Sequence, residues 1–457
     1  MVMFRNNGLP GASGRIVVIG GGAAGALAAL HLLDAAAAGE VVVVEPARDL
    51  GFGVAYRTRH PLHLLNVPAG RMSAFPDRPG DFVSWLDGTG PEAAAAFVSR
   101  RLFGEYLRDR LAAAGSGEAL AHVRSEAVGI EVESGGVVVS LADGSTLEAE
   151  RALLAIGQQQ ERPRLGSAAL EGEPRLVADP WAAGALERIR HGDSVVLLGT
   201  GLTMVDVALE LAERGVTLTA VSRRGLLPHA HPARPSTLVP AELPPGGRLR
   251  DLVRSVRAAA AAREHWSAAV DALRPLTQDL WQGLTAVEQA QFLRHVAPHW
   301  NVHRHRMPPP SATALQRLRD QGRLRTLAAG VLRVTADPAG LAVELRSRGD
   351  ADTTILHVDH VVNCTGPRSQ LLDEPPQLAR ALLDAGLARV DAHGLGLDTD
   401  GDGALIDSDG ATSERLFAIG SLRRGTLLES TAIPELRVQA QRFAALGARA
   451  VATNAGH

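Results

Sequence analysis

The chain has 457 residues, 46% apolar and 21% charged, the make-up of a globular protein long enough for two or three domains. A formal net charge of −3 lacks the basic footprint of a nucleic-acid binder, and 4% aromatic content argues against stacked single-stranded bases. A single cysteine, Cys364, excludes an intrachain disulfide, a redox-active cysteine pair and a Cys-based zinc cluster.

Residues 1–14 read as a disordered lead-in. The apolar run 16–33 has the look of a signal or membrane segment, but four glycines at turn spacing interrupt it and a second strand follows. A cytoplasmic protein with no membrane association is therefore expected. Residues 15–20 form a predicted strand, 23–33 an Ala/Leu helix and 41–45 a second strand, which together make a βαβ unit. A Pro- and Gly-rich loop covers 51–81, a helix 97–114, and strands lie around the Asp143-Gly144 turn between 127 and 156. An irregular stretch then runs from Arg162-Pro163 past Asp179-Pro180-Trp181.

A second βαβ unit is predicted from a strand at 194–199, a helix at 204–214 and a strand at 216–222. A Pro-rich loop (226–247) and a mostly helical segment (248–306) follow, with strands near Leu332 and Leu341 and at 358–363 and 416–420. The expected architecture is α/β, with two Rossmann-like dinucleotide-binding domains, the second inserted in the first. The expected limits are 1–185 and 351–457 for the first domain. The second covers 186–350 and carries the helical insertion.

The two glycine turns carry the chemistry. Gly20-Gly21-Gly22-Ala23-Ala24-Gly25 fits G-x-G-x-x-G fully, between a strand and a helix. Such a turn lets backbone approach a pyrophosphate at a helix N-terminus, and Glu45 at the end of the next strand can accept from ribose hydroxyls. Gly199-Thr200-Gly201-Leu202-Thr203-Met204 keeps the two phosphate-facing glycines and loses the third to Met204. Its second strand ends in Ser222-Arg223-Arg224. That lacks the acid that would repel a 2′-phosphate and offers groups able to bind one, which favours NADPH over NADH.

Together with the strand-end turns Ala155-Ile156-Gly157 and Cys364-Thr365-Gly366, these residues resemble two-dinucleotide flavoproteins. Within that group the chain resembles class B flavin monooxygenases and N-hydroxylases, most of all a bacterial branch of FAD/NAD(P)-binding proteins. Three longer stretches carry the closer likeness: Gly51 through Val67 to Ala74, Trp300 to Arg306, and Gly425 through Pro434 to Arg437. The resemblance implies FAD on the first turn and NAD(P)H on the second, hydride transfer to the flavin, and oxygen capture as a flavin hydroperoxide. It implies an FAD contact at the Gly420 strand end and cofactor-binding turns at Gly157 and Gly366. It also implies a helix N-terminus aimed at the isoalloxazine, supplied here by Thr431 and Ile433. No Phe-x-Gly-x-x-x-His-x-x-x-Trp motif joins the two turns, which puts Baeyer–Villiger chemistry in doubt.

The cofactor-binding candidates on the first turn are Gly20, Gly22, Ala23, Ala24, Gly25 and Glu45. Those on the second are Gly199, Gly201, Leu202, Thr203, Ser222, Arg223 and Arg224. Asn66, Val67, Met72 and Ser73 are expected beside the flavin, with the Asn66 amide as a polar handle. Glu435, Arg437 and Gln439 follow on the last helix, and Gln439 reads as part of a solvated face. The cluster His299, His303, Arg304, His305 and Arg306 suggests an anion site for NADPH phosphates or a substrate carboxylate, or charges covering a domain junction. Asn66, Arg304 and His305 are the catalytic candidates. No metal site is expected, because adjacent arginines repel a cation and no carboxylate or thiol lies at ligand spacing. Cys364 reads as a small buried filler.

The reading that follows is an FAD-containing, NADPH-using monooxygenase of a small polar or anionic molecule, with O2 as co-substrate and a possible homo-oligomeric state. A flavin reductase or dehydrogenase of the same architecture, or a non-catalytic redox sensor, stays open at this point.

Overall fold

The computed structural model describes residues 14–115, 119–157, 170, 172–232, 247–263, 265–349, 352–366, 371 and 373–454. The expectations for 1–13, for Arg162-Pro163 and for 233–246 lie outside these residues. The chain forms two compact units: Met1–Arg59, Val67–Gln159 and Ser369–His457 make the first, and His60–Asn66 with Gln160–Arg368 make the second.

The first unit is built on a six-stranded sheet. Its order is Ala404–Ile406, Thr412–Ala418, Arg151–Leu154, Arg15–Ile19, Glu40–Val44, Leu120–Val123. All neighbours are parallel except the first pair. Parallel strands are covered on both faces, which is why Ile16 to Ile19 and Val41 to Val44 read as unbroken apolar runs and are all buried. The helix Ala23–Asp34 is apolar nearly all round. It is packed between Arg100–Ala114 and Ile433–Asn454. A separate antiparallel meander of Ala127–Glu133, Gly136–Leu141 and Thr146–Ala149 turns at Asp143-Gly144 as expected.

The helix Ala23–Asp34 buries one polar side chain, His31, whose Nε2 pairs with the Ala74 carbonyl at 3.0 Å. Burial holds its pKa below the ordinary 6.5, outweighing the pull of Asp34 and Asp77 in the opposite direction. The unfolded chain therefore takes up a proton before the folded one does. The stability this residue provides is complete above about pH 6.5 and is lost as pH falls towards the folded value. The urea midpoint is expected to fall between about pH 7.5 and pH 5, and to fall less in His31→Gln, which keeps a donor but does not titrate. Equal falls in both proteins would rule His31 out as a source.

The second unit has a seven-stranded sheet in the order Thr353–Val358, Gly340–Ser347, Leu324–Asp337, Thr217–Ser222, Ser194–Leu198, His360–Asn363, Leu176–Val177. The long strand Leu324–Asp337 joins its two parts. It begins parallel to Thr217–Ser222 and from Ala329 continues antiparallel to Gly340–Ser347, with a register shift between Val331 and Arg333. The helix Leu202–Ala212 crosses over between Ser194–Leu198 and Thr217–Ser222.

The limits of this unit correct the expected 186 and 350. His360–Asn363 pairs in parallel with Ser194–Leu198 and with Leu176–Val177, so both strands belong to the second sheet. A two-residue strand carries no periodicity to read. The expected helical segment 248–306 is a run of short helices from Leu249–Ala261 to Ala297–Arg304, with a π-helical turn at Phe292–Val296. One of them, Ala286–Gln291, opens on a Thr285/Glu288 capping box.

Candidate dinucleotide sites

The two glycine turns repeat one geometry. Gly20 has φ +101° and Gly199 φ +103°. A Cβ on Gly20 would sit 2.5 Å from the Ala155 carbonyl oxygen, and one on Gly199 2.5 Å from the Cys364 carbonyl oxygen. Each turn therefore lies directly against its own strand-end turn, Ala155-Ile156-Gly157 or Cys364-Thr365-Gly366, and only glycine fits the conformation and the space. Gly157 and Gly366 also have left-handed backbone, at φ +72° and +85°.

Each turn opens a helix with no side-chain cap and no acid in its first turn, behind Gly22 in one unit and Gly201 in the other. The first-turn N–H groups of Ala23 and Ala24, and of Leu202 and Thr203, thus have no side-chain cap and could meet a ligand. Gly201 has ordinary φ of −82°, and nothing lies within 4 Å of where its Cβ would stand. The fold does not need glycine at that point, and a cradle for a close-lying ligand does. Met204, in place of the third glycine, is fully buried in the core with Cys364.

In the first unit Glu45 meets the turn. Its carboxylate accepts from Gly21 N at 2.8 Å and Ala47 N at 3.0 Å, and its carbonyl pairs with His122 Nε2 at 2.9 Å. The far end of the chain returns to the same place, for a Cβ on Gly420 would be 3.6 Å from Ala24 Cβ. Beyond Gly420, the hydroxyls of Ser421 and Ser430 are buried with no hydrogen-bond partner among the described residues. Ser430 lies just before the exposed Thr431 and the helix Ile433–Asn454, whose second residue is Pro434. Orphaned buried hydroxyls carry a cost unless a ligand satisfies them, so these residues fit a polar cofactor held at the C-terminal strand end.

The segment after Val67 is tied down by its neighbours. Met72 and Ser73 are buried. The Ser73 hydroxyl lies 2.7 Å from the Arg78 carbonyl and 3.1 Å from the Phe75 carbonyl, so it is engaged within its own loop. Ala74 N donates to Tyr106 Oη, Tyr106 donates to Asp81 at 2.5 Å, and Arg437 Nη1 donates to the Ser73 carbonyl at 2.9 Å. Burial, helped by the bond to Asp81, pushes the Tyr106 phenol pKa up.

In the second unit Ser222 closes the end of its strand. Its hydroxyl accepts from Gly225 N at 3.0 Å and lies 2.9 Å from Thr200 Oγ1, which donates to the Leu226 carbonyl. Arg224 Nη2 donates to the Arg294 carbonyl at 3.2 Å, while Arg223 is exposed. The three catalytic candidates lie on linked segments. The His231 ring pairs with the Asn66 carbonyl at 2.9 Å, and the His231 N–H donates to the carbonyl of Met307, two residues beyond His305. Asn66 is the last residue of the short excursion His60–Asn66, and Val67 belongs to the first unit.

The structure divides the expected His/Arg cluster. Arg304 and Arg306 are buried, and Arg306 is bonded to Asp271. His303 packs against His229 and Trp266, with ring centroids 4.4 and 4.7 Å away. Arg306 is thus balanced by a carboxylate, and His303 is an aromatic packing partner. Between Leu249–Ala261 and Phe292–Val296 runs an open groove of about 890 Å³, lined by Arg250, Arg254, Arg257 and His295 among apolar side chains. Cys364 is buried, and burial pushes its thiol pKa up, as expected of a filler. Gln439 departs from the expected solvated face, because it is buried and bonded at both ends of its amide. The periodicity of Ile433, Leu436, Ala440 and Phe443 was the signal that could have placed it inside. Ser421, Ser430 and Tyr106 had no such signal.

Among the described residues no group of three or more His, Cys, Asp or Glu side chains is arranged to hold a metal ion. No described helix is long and apolar enough to cross a membrane.

The fold and its turns define a class: a nested pair of Rossmann-like units, each with a glycine turn between a strand and a helix. A family model described as FAD-NAD(P)-binding matches residues 17–159. The whole fold is shared with the Kutzneria sp. 744 ornithine N-hydroxylase, solved with reduced FAD, NADP+ and L-ornithine (TM-score 0.68, 15% identity, 96% of this chain and 100% of that one). It is shared with L-lysine 6-monooxygenase from Pseudomonas syringae (TM-score 0.67, 19% identity, 96% and 100%). Thioredoxin reductase from Lactococcus lactis is a more distant likeness (TM-score 0.55, 12% identity, 96% and 100%). No curated protein matches the chain by sequence.

Proposed function

We propose that this protein is an FAD- and NADPH-dependent monooxygenase of a small polar or anionic molecule, acting in the cytoplasm. The observation that carries the reading is the duplicated glycine turn. Each copy faces an uncapped helix, one beside a carboxylate and the other beside an exposed arginine, in a fold that N-hydroxylases share.

Bound FAD would supply hydride acceptance from NADPH and activation of O2. The chain's own part is to bind and orient. Gly20, Gly22, Ala23 and Ala24 would hold the FAD pyrophosphate, Glu45 the ribose hydroxyls, and Ser421, Ser430 and the Ile433 helix end the far part of the molecule. Gly199, Gly201, Leu202 and Thr203 would hold the NADPH pyrophosphate, with Arg223 and Arg224 at its 2′-phosphate. The basic groove beside the π-helical turn supports an anionic substrate.

A reductase of the same fold is the second reading, favoured by the likeness to thioredoxin reductase. The single buried cysteine argues against intramolecular dithiol exchange, which needs two thiols. Purified protein should be yellow, bleach anaerobically with NADPH, and on admitting 18O2 place one labelled atom in an added amine such as L-ornithine or L-lysine. Bleaching followed by full recovery of O2 as hydrogen peroxide, across a panel of amines and amino acids, would replace the monooxygenase by the reductase.

A further inference from the structure

The buried amide of Gln439 ties together two backbone segments that come from different places in the first unit. Its Oε1 accepts from Gly420 N at 3.1 Å, and its Nε2 donates to the Ser430 carbonyl at 3.0 Å. The orientation is fixed by this pairing, since a flipped amide would set N–H against N–H and oxygen against oxygen. Gly420 ends the strand Thr412–Ala418 region in left-handed backbone, at φ +77°. A Cβ there would stand 3.2 Å from Leu436, one turn before Gln439 on the same helix. Ser430 is bonded to one end of this amide, and Ser421 directly follows the Gly420 bonded to the other.

We propose that Gln439 is a positioning residue for the flavin: it fixes the Ile419-Gly420 peptide relative to the Ser430 carbonyl, and with them the two segments that carry the Ser421 and Ser430 hydroxyls toward one polar ligand. The inference rests on the FAD reading above. Each bond takes the place of water at a buried backbone group. Losing the amide would therefore free the two segments separately while leaving the sheet intact.

The test compares wild type with Gln439→Leu, which keeps the volume and removes both bonds. Gln439→Glu, which retains an acceptor for Gly420 N, takes its place if the leucine variant is recovered unfolded. In apoprotein, exchange of the Gly420 amide hydrogen should quicken about tenfold, and the FAD dissociation constant, read by flavin fluorescence, should rise about tenfold. The flavin midpoint potential should shift as well. Unchanged Gly420 exchange and unchanged FAD affinity, with or without a lower Tm, would overturn the positioning role and leave the flavin reading standing. Wild-type apoprotein that takes up no FAD would overturn the flavin reading, and this inference with it.

Discussion

Gly25→Ala is expected to abolish flavin binding and to lower stability by about 3 kcal/mol or more. A Cβ at Gly25 would stand 1.8 Å from the Gly20 carbonyl oxygen, a backbone atom that no rotamer change can move. The helix would have to shift away from the strand that ends at Ile19, and the first-turn N–H groups would leave the place proposed for the pyrophosphate. The measurement is the visible flavin absorbance of the purified variant after reconstitution, with its urea midpoint. A variant that loads with FAD as wild type does would show that the turn does not carry the cofactor.

Arg223→Ala should lower kcat/KM for NADPH about tenfold to a hundredfold while leaving that for NADH within about twofold, because one charge-assisted bond to a phosphate is removed. Arg223 is the exposed member of the strand-end group, whereas the Ser222 hydroxyl is engaged by Gly225 and Thr200. Gly201→Ala is the companion. Open space at its Cβ position and φ of −82° mean the fold tolerates alanine, so Tm should stay constant. A methyl group in the cradle should still raise KM for both nicotinamide cofactors about tenfold. If Arg223→Ala weakens NADH and NADPH equally, the residue does not read the 2′-phosphate.

The two glycine turns were legible because their geometry is local. Gly20 to Gly25 and Gly199 to Gly201 are contiguous, and the acid and the arginines stand at the ends of the strands that follow. A short motif of this kind states its own conformation, since the left-handed backbone at Gly20 and Gly199 suits only glycine and an uncapped helix offers free N–H groups. The nested order of the domains was legible for a similar reason: two βαβ patterns and a late apolar strand leave few topologies. The limits of the second unit were less so. Leu176–Val177 is too short to signal, and the excursion His60–Asn66 is recognisable only by what it touches, with His63 against Trp181 and against the Asp206 carbonyl.

By itself the sequence determined the two strand–turn–helix cradles, the carboxylate and arginine beside them, and the absence of a second thiol within these 457 residues. Tertiary structure alone decided which polar groups are engaged by the fold. Arg306 is balanced by Asp271, Ser73 and Ser222 are held by nearby loop atoms, and Gln439 is turned inward onto Gly420 and Ser430. The reason is physical: a side chain's role depends on its nearest partner and on access to water, and both are set by segments that can lie hundreds of residues away, as Ser73 and Arg437 do.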